Sequence, residues 1–266
     1  MQINTIFVIG GESGLAMKIA VCIKQVPETS VRVKIAADGK SIDAAGVEHV
    51  VNPFDEYALE EAVRLKEQNA GSEITLVLLG PEKAQQIVLK ALAIGADRAV
   101  HIKADTIPID SLAIAKVLAE ELKSGNYDLI FFGKKAVDYD NHQVGAIVAE
   151  LLNLPCITGC THYEFSGGKI TAYREIEAGV EVYSVVPPAV FTQEKGPHEV
   201  RYPQLRELMA ARKKSIATKQ PNFSTPTMQT VELSYPPPRP AGKIVGRGVG
   251  AVPELVRLLR EEAKVI

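Results

Sequence analysis

The stretch Tyr127–Pro155, YDLIFFGKKAVDYDNHQVGAIVAELLNLP, decides the fold of this chain. It begins with a short apolar run, Leu129–Phe132, which predicts a buried strand. A polar loop starts at Gly133, and apolar residues recur at helical spacing from Val144 until Pro155 ends the helix. Such a strand–loop–helix is where α/β proteins bind phosphate groups, because unpaired amide N–H groups and the helix dipole both favour an anion.

The loop itself, GKKAVDYDNHQVG, has neither the GxxxxGK[ST] of a P-loop nor the GxGxxG of a Rossmann turn. Two cations and three neutral donors are its candidate phosphate ligands: Lys134, Lys135, Asn141, His142 and Gln143. Asp138 and Asp140 have two interpretations. They are general acid/base carboxylates, or they cap the following helix and shape the loop. Two acids beside a phosphate are unfavourable unless they point away from it or bind ribose hydroxyls.

Composition and charge exclude several function classes. The 266 residues are 46% hydrophobic and 23% charged, which is ordinary for a globular chain with a sizeable core. A net charge of −2 gives no field for nucleic acid or anionic membranes. The apolar runs are too short to span a bilayer. Three cysteines without a recognisable secretion signal predict a cytoplasmic protein.

Strand-like and helix-like segments alternate along most of the chain. Strands are predicted at 18–24, 73–79, 98–102 and 129–132, and helices at 53–69, 83–94, 111–122 and from 144. This alternation predicts an α/β fold with a doubly wound, mostly parallel sheet. Segments 160–165, 169–176 and 180–186 then alternate more strictly, which predicts an antiparallel edge, with 189–193 returning to the core.

Three parts of the chain follow from this pattern. Residues 1–16 are predicted to be a flexible N-terminal extension, because Met17 begins a more natural strand. Residues 17–216 form the α/β nucleotide-binding domain. Residues 217–266 form an extended, proline-rich C-terminal arm and a last helix, and an arm with so little structure of its own is expected to lie on a partner chain.

Other motifs carry less chemistry. The segment Asn52–Asp55 precedes a helix, with Asn52 or Asp55 as its predicted cap. The five histidines have no metal-ligand spacing, and Cys156 and Cys160 are not a CxxC pair. No catalytic residues and no metal site are predicted.

Several motifs, in order, resemble the electron-transfer flavoprotein β-subunit family over nearly all of 17–266. Besides the glycine loop they are KIAVCIKQVPET (18–29), VVNPFDEYALEEAVRLKE (50–67), KALAIGADRAVHI (90–102), REIEAGVEVYSVVPPAVFT (174–192) and RYPQLRELMAARKKSI (201–216). The resemblance implies an adenine nucleotide α-hydrolase-like fold. It also implies a heterodimer with an α subunit that carries the electron-transferring FAD, so the chain is an electron-carrier subunit rather than an enzyme.

The resemblance implies that this chain holds AMP, or a second FAD if the protein bifurcates electrons. By matching motifs, the nucleotide pocket falls on Cys22, Lys24, Asn52, Pro53, Phe54, Asp55, Leu79, Gly133, Lys134, Lys135, Ala136, Val137, Asp138, Tyr139, Asp140, Asn141, His142, Gln143 and Val144. Bifurcating members read DGDTAQVGP where this chain reads DYDNHQVGA. The bulky Tyr139 favours AMP, whereas Val144 is typical of bifurcating members.

The resemblance also implies the partners. A recognition segment, residues 199–212, is expected to dock acyl-CoA-type dehydrogenases of fatty acid oxidation through Leu205. A quinone oxidoreductase or an equivalent acceptor receives the electrons. Glu175 is expected to contact the FAD domain of the α subunit, and 217–266 to wrap that subunit. The alternatives are that Leu205 packs inward beside Leu208 and Met209, and that Glu175 is a solvated strand residue.

Two function classes compete with the carrier. A universal-stress-like nucleotide-binding protein shares the α/β plan but has no use for the arm or the RYPQL motif. An ATP-consuming ligase or pyrophosphatase of related fold needs an SGGxDS loop after the first strand, where this chain has Gln25–Thr29.

Overall fold

Residues 15–239 and 241–266 are described by a computed structural model of the chain. All but the last two residues of the predicted extension 1–16 lie outside the described residues. Contacts divide the chain into a first unit that ends at Val231 and a second unit, Glu232–Ile266. The boundary predicted at 216/217 therefore lies inside the first unit.

The described residues form the following strands: β1 Lys18–Ile23, β2 Gln25–Pro27, β3 His49–Val51, β4 Glu73–Gly80, β5 Arg98–Lys103, β6 Leu129–Gly133, β7 Cys156–Ser166, β8 Lys169–Ile176, β9 Gly179–Val185, β10 Ala189–Gln193 and β11 Ile216–Lys219. The helices are α1 Pro53–Gln68, α2 Gln85–Ile94, α3 Ser111–Gly125, α4 Val144–Leu152, α5 Leu205–Ala211 and α6 Val252–Glu261. None of these helices combines the length and apolar character needed to cross a membrane.

One nine-stranded sheet organises the first unit, in the order β11-β5-β4-β1-β6-β10-β7-β8-β9. Neighbours from β11 to β7 are parallel, and β7, β8 and β9 are antiparallel. The predicted α/β class with a mostly parallel sheet is confirmed, and so are the antiparallel edge and the return of β10 to the core. The short strands β2 and β3 form a separate antiparallel ribbon.

Alternating residues of β1 supply the two cores. Ile19, Val21 and Ile23 pack with α1 and α2 on one face, whereas Ala20 and Cys22 pack with α3 and α4 on the other. Successive side chains of a strand point to opposite faces, so a strand buried on both sides reads as a continuous apolar run.

The position of β1 in the sheet indicates at which end of the strands a ligand would bind. The chain continues from β1 to β4 on one side, and later returns to β6 on the other side. Such a reversal of strand order opens a crevice at the carboxyl ends of the strands, where α/β proteins bind ligands. The loops that follow β1, β4 and β6 all lie at this end.

The C-terminal part of the sheet differs from the prediction. Residues Ile216–Lys219 were assigned to the domain end and the arm, yet they form β11, which pairs in parallel with β5 and extends the sheet by one strand. Only Ile216 of β11 is packed against the core, and the next three residues are exposed. An exposed edge strand needs no apolar alternation, so no periodicity marks these residues as a strand.

Candidate functional site

A cavity of about 360 Å³ lies at the carboxyl ends of β1, β4 and β6. This volume falls within the range of small-molecule sites, roughly 300–1,000 Å³. Most of the predicted nucleotide residues line it, namely Cys22, Lys24, Asp55, Leu79, Gly133, Lys134, Lys135, Ala136, Asp138, Tyr139, Asp140, Asn141, His142, Gln143 and Val144. The other four predicted residues, Asn52, Pro53, Phe54 and Val137, are not among the residues that line it.

Asn52 and Asp55 hold the wall of the cavity together. The buried Asp55 carboxylate accepts the backbone N–H of Lys24 at 2.7 Å and that of Gly133 at 3.0 Å. The Asn52 amide donates to the Lys135 carbonyl at 2.8 Å, and its oxygen accepts the Val137 N–H at 3.2 Å. These two side chains therefore join the loop after β1 to the loop after β6.

The predicted cap position of α1 is confirmed at Asn52, although the Asn52 side chain does not cap the helix. Asn52 occupies the N-cap position, but its side chain makes no capping bond, and its backbone carbonyl accepts the N–H groups of Asp55 and Glu56 instead. The reason is competition, since the polar atoms of both candidate caps are already bonded to the loops. Gly133 is needed here for a related reason, because a Cβ at this position would lie 2.4 Å from the Asp55 Oδ1 atom.

Unpaired amide groups gather where the glycine loop enters α4. Among the described residues, the backbone N–H groups of Asn141, His142 and Gln143 donate to no protein acceptor. The first turn of α4 adds further unpaired N–H groups, as every helix start does. Asp140 and His142 both have a left-handed backbone, with φ of 57° and 56°. Non-glycine residues in that region are uncommon and cluster at functional sites.

The two acids of the loop do not cap α4, so the capping part of that interpretation is wrong. Gln143 is the N-cap residue, and no side chain bonds to the helix start. Asp138 pairs with Lys24 at 2.5 Å, and Asp140 pairs with Lys135 at 2.7 Å. Each acid is therefore neutralised by a lysine of the same cavity, which removes the electrostatic objection to a phosphate nearby.

The lysines around the cavity contact aromatic rings and acidic side chains. Lys134 pairs with Glu194 and lies 5.6 Å from the Phe54 ring centroid, and Lys135 lies 5.5 Å from the same ring. Lys24 lies 5.0 Å from the ring of Tyr139, within reach of a cation–π contact. Phe54 thus supports both loop lysines without itself lining the cavity.

Burial changes the protonation of the groups around the cavity. Burial raises the pKa of the Asp55 carboxyl to about 7, against hydrogen bonds from Asn52, Lys24 and Gly133 that lower it. Burial also raises the pKa of the Cys22 thiol well above its usual range, so the thiol stays neutral. The pKa of Lys134 is lowered by burial and by the neighbouring charge of Lys135.

Sequence reasoning missed part of the lining. Ser111, the first residue of α3, accepts a hydrogen bond from the Asn141 amide at 3.1 Å. Apolar residues from the loop before α3 and from the chain between β2 and β3 also contribute, namely Ile42, Ala44, Val47, Ile107, Pro108 and Ile109. Ser111 begins the helix that follows β5, a strand of the same parallel sheet. Its position after a parallel strand could have predicted that it lies at the cavity end of the sheet. The chain between β2 and β3 has no comparable pattern.

The two predicted partner residues lie away from the cavity lining. Leu205 begins α5, and 74% of its surface is exposed. Glu175 is exposed on β8 beside Arg174, whose guanidinium pairs with Glu181. Within the described residues, no cluster of three or more histidine, cysteine or acidic side chains is arranged to hold a metal ion.

Comparison with known proteins identifies the family. The protein-family description that matches, "Electron transfer flavoprotein domain", covers residues 40–223. The "Electron transfer flavoprotein subunit beta" of Syntrophomonas wolfei is 39% identical over 226 residues, 85% of this chain and 88% of that protein. The proteins of the same name from Bacillus subtilis and Homo sapiens are 38% and 33% identical over 94% of this chain, and over 100% and 99% of their own lengths. As its motifs predicted, the chain belongs to the electron-transfer flavoprotein β-subunit family.

Proposed function

We propose that this chain holds one AMP in the cavity and pairs with an α subunit whose FAD carries the electrons. The observation that supports it is one cavity lined both by the residues with unpaired N–H groups at the start of α4 and by apolar residues at the end of β4 and around the start of α3. An adenine nucleotide has the matching halves, a charged phosphate and a flat, largely apolar base. AMP would be structural, and the flavin supplies the redox chemistry when bound to its partner.

The phosphate end of the proposed site uses charge and dipoles together. The N–H groups of Asn141, His142 and Gln143 lie at the positive end of α4, where an anion is favoured. Lys134 and Lys135 supply positive charge next to them. An incoming phosphate would compete with Glu194 and Asp140 for these lysines. The positive charge of the site is therefore partly neutralised before a phosphate binds.

The base end of the proposed site is apolar. Leu79 lies near the carboxyl end of β4, Pro81 follows that strand, and Ile109 and Ile114 flank the start of α3. A buried, neutral Cys22 thiol lies among them and adds no charge. Burial of a planar base against such a wall is favourable by about 25 cal/mol for each Å² of apolar surface removed from water.

Two features of the cavity favour AMP over a second FAD in this proposal. FAD contains the whole of AMP and more than doubles its bulk, whereas the cavity volume of about 360 Å³ is near the lower end for ligand sites. Tyr139 lines the cavity with half of its surface exposed, and its ring takes up room that a flavin needs. Val144, the feature typical of bifurcating members, keeps the second FAD as the alternative.

The carrier role assigns the remaining partners. In this proposal Leu205 docks acyl-CoA-type dehydrogenases of fatty acid oxidation, and Glu175 contacts the FAD domain of the α subunit. Residues 217–266 wrap the α subunit. A quinone oxidoreductase or an equivalent protein accepts the electrons. The three free cysteines support a cytoplasmic location.

The nucleotide proposal is tested by adding charge at the helix start. Gln143→Glu places a carboxylate beside the proposed phosphate, while Gln143→Leu removes the same amide without adding charge. Calorimetric rebinding of AMP to nucleotide-depleted heterodimer should weaken about 10–100-fold for the glutamate variant, because like charges this close cost about 1.4–2.8 kcal/mol. The leucine variant should bind AMP within a few-fold of the unmodified protein. Equal affinities for the two variants would contradict a phosphate at this position.

A further inference from the structure

The start of the recognition segment is fastened to the middle of α1 by a set of ion pairs. The Arg201 guanidinium donates to both oxygens of Glu60, at 2.8 and 2.9 Å, and to Glu67 at 2.6 Å. The backbone N–H of Arg201 also donates to Glu60, at 3.2 Å. Three residues earlier, His198 Nδ1 lies 2.6 Å from the Glu61 carboxylate.

Two of these carboxylates, those of Glu60 and Glu61, are buried, whereas that of Glu67 is exposed. The side chains of Glu60 and Glu61 are only 2% and 5% exposed. Burial opposes the charge of Glu60, yet hydrogen bonds from Arg201 hold its pKa below the usual range. A buried carboxylate persists only when it is paired. Arg64 of the same helix donates to Glu60 at 2.9 Å, and residues 198–201 supply the remaining partners of the two acids.

Beyond Arg201 the chain becomes exposed and apolar. Tyr202, Leu205 and Met209 are 90%, 74% and 63% exposed. The helix that carries Leu205 and Met209, α5, has only seven residues, and a helix this short is not stable by itself. A capping box between Gln204 and Glu207 starts it, and Leu208 and Ala211 pack against the core. The start of the helix depends on where Arg201 is held.

We infer that Arg201 is a positioning residue for partner docking, because its fork on Glu60 and Glu67 fixes where Tyr202, Leu205 and Met209 are presented. This inference rests on the proposed docking of dehydrogenases through Leu205. A surface held in its bound arrangement before the encounter loses less entropy on binding, which favours affinity. The planar fork of arginine suits this role better than lysine, since it engages two carboxylates at fixed angles.

The test removes the ion pairs without leaving a buried charge unpaired. The double variant Arg201→Met/Glu60→Gln in the intact heterodimer loses the fork and neutralises the buried acid. Arg98→Met is the matched control, because Arg98 is an arginine whose ion pair, with Glu73, is exposed and does not involve α1 or the recognition segment. Two quantities are measured, amide hydrogen exchange over 202–211 and the kinetics of reduction by an acyl-CoA dehydrogenase that its acyl-CoA substrate has reduced.

Positioning predicts a specific pattern. Exchange over 202–211 should rise about tenfold in the double variant but not in α3 or in the Arg98→Met control. The KM for the heterodimer should rise about tenfold, while kcat stays within about twofold, because docking is weakened and electron transfer within the docked complex is not. Arg201→Lys should lie between the double variant and the unmodified protein.

Two results overturn the inference: unchanged exchange over 202–211, or raised exchange with an unchanged KM, which would make the ion pairs purely structural. If the unmodified heterodimer accepts no electrons from the dehydrogenase, the proposed docking function fails. The inference then fails with it, because raised exchange alone is also what a purely structural role predicts.

Discussion

Helix α1 supports two regions that are built in different ways. At its first turn, Asn52 and Asp55 hold the glycine loop by hydrogen bonds to backbone N–H and C=O groups. Along its middle, Glu60 and Glu67 hold the recognition segment by ion pairs with one side chain, Arg201. The same helix thus fixes the shape of a cavity at one end and the base of an exposed segment further along.

The two kinds of contact suit two different tasks. Bonds from a buried side chain to several backbone groups fix the path of the loop, as a site for a small ligand requires. An ion pair at one end of a segment fixes its base and leaves the following side chains free to meet a partner. Changes at the glycine loop are therefore expected to alter the shape of the cavity, and changes at the recognition segment to weaken partner binding.

Removing the Asp55 carboxyl should have the largest effect. Asp55→Ala leaves the backbone N–H groups of Lys24 and Gly133 unpaired, and each buried unpaired donor costs about 1–3 kcal/mol. The substitution also removes a buried carboxyl whose charged form is unfavourable, and this offsets part of the cost. We therefore expect the free energy of unfolding to fall by about 2 kcal/mol, which lowers the melting temperature by roughly 4–8 °C. Bound nucleotide should be lost at the same time. The exposed Asp105→Ala is the control, and retention of full nucleotide by Asp55→Ala would contradict the role given to this residue.

Leu205→Ala tests the opposite behaviour at the recognition segment. Burial of a leucine in a partner is worth roughly 1.5–3 kcal/mol, so electron exchange with the dehydrogenase should slow by about one to two powers of ten. Because 74% of Leu205 is exposed in this chain, melting temperature and nucleotide content should stay nearly unchanged. Val33→Ala, at another exposed residue, serves as the control in stopped-flow measurements. A loss of stability with an unchanged exchange rate would show that Leu205 is a packing residue.

Glu175→Ala should give a smaller change that depends on salt. An exposed ion pair contributes about 0–1 kcal/mol, a size that suits contact with a domain that must change orientation. We expect electron-transfer rates to change by at most about fivefold at low ionic strength, with the difference disappearing at high salt. Small-angle scattering should show a wider distribution of the FAD domain. Profiles that match those of the Glu177→Ala control at low salt would assign Glu175 to the solvated surface.

Two buried acids should shape the pH dependence of stability in opposite directions. The pKa of Asp55 is raised to about 7, so the folded state holds more protons than the unfolded state above pH 4, and stability falls as pH rises towards 7. The pKa of Asp110 is lowered to about 2 by hydrogen bonds from Thr227 and the start of α3, so stability falls as pH drops below 4.

The variants separate the two contributions. The pH slope of the unfolding free energy reports how many protons the folded and unfolded states bind differently. Asp55→Ala should reduce that difference by up to about one proton between pH 4 and 7, and Asp110→Asn should reduce it between pH 4 and 2. Denaturant titrations across this range provide the measurement. A steeper slope in either variant would reverse the sign derived for that acid.

The sequence was informative wherever local pattern carries the structure. The apolar run at Leu129–Phe132 and the helical spacing from Val144 predicted both the sheet and the end of it that carries the cavity. The alternation at 160–186 predicted the antiparallel edge. These features follow from periodicity and from the glycine at 133, which the close approach of Asp55 requires.

Contacts between distant residues could not be predicted in the same way. Asn52 and Asp55 look like helix caps in sequence, and only the folded chain brings the loop 83 residues away within reach of the Asn52 amide. The bond between Arg201 and Glu60 spans 141 residues and has no local signature. Strand β11 was missed because an exposed edge strand needs no apolar alternation.

The identity of the nucleotide tests the central claim most directly. The intact heterodimer is denatured, and the released nucleotides are weighed and counted by mass spectrometry against protein concentration. A cavity built for a small adenine nucleotide, with Tyr139 on its wall, predicts one AMP and one FAD per heterodimer. Two FAD and no AMP would contradict the account and make this chain the β subunit of a bifurcating protein.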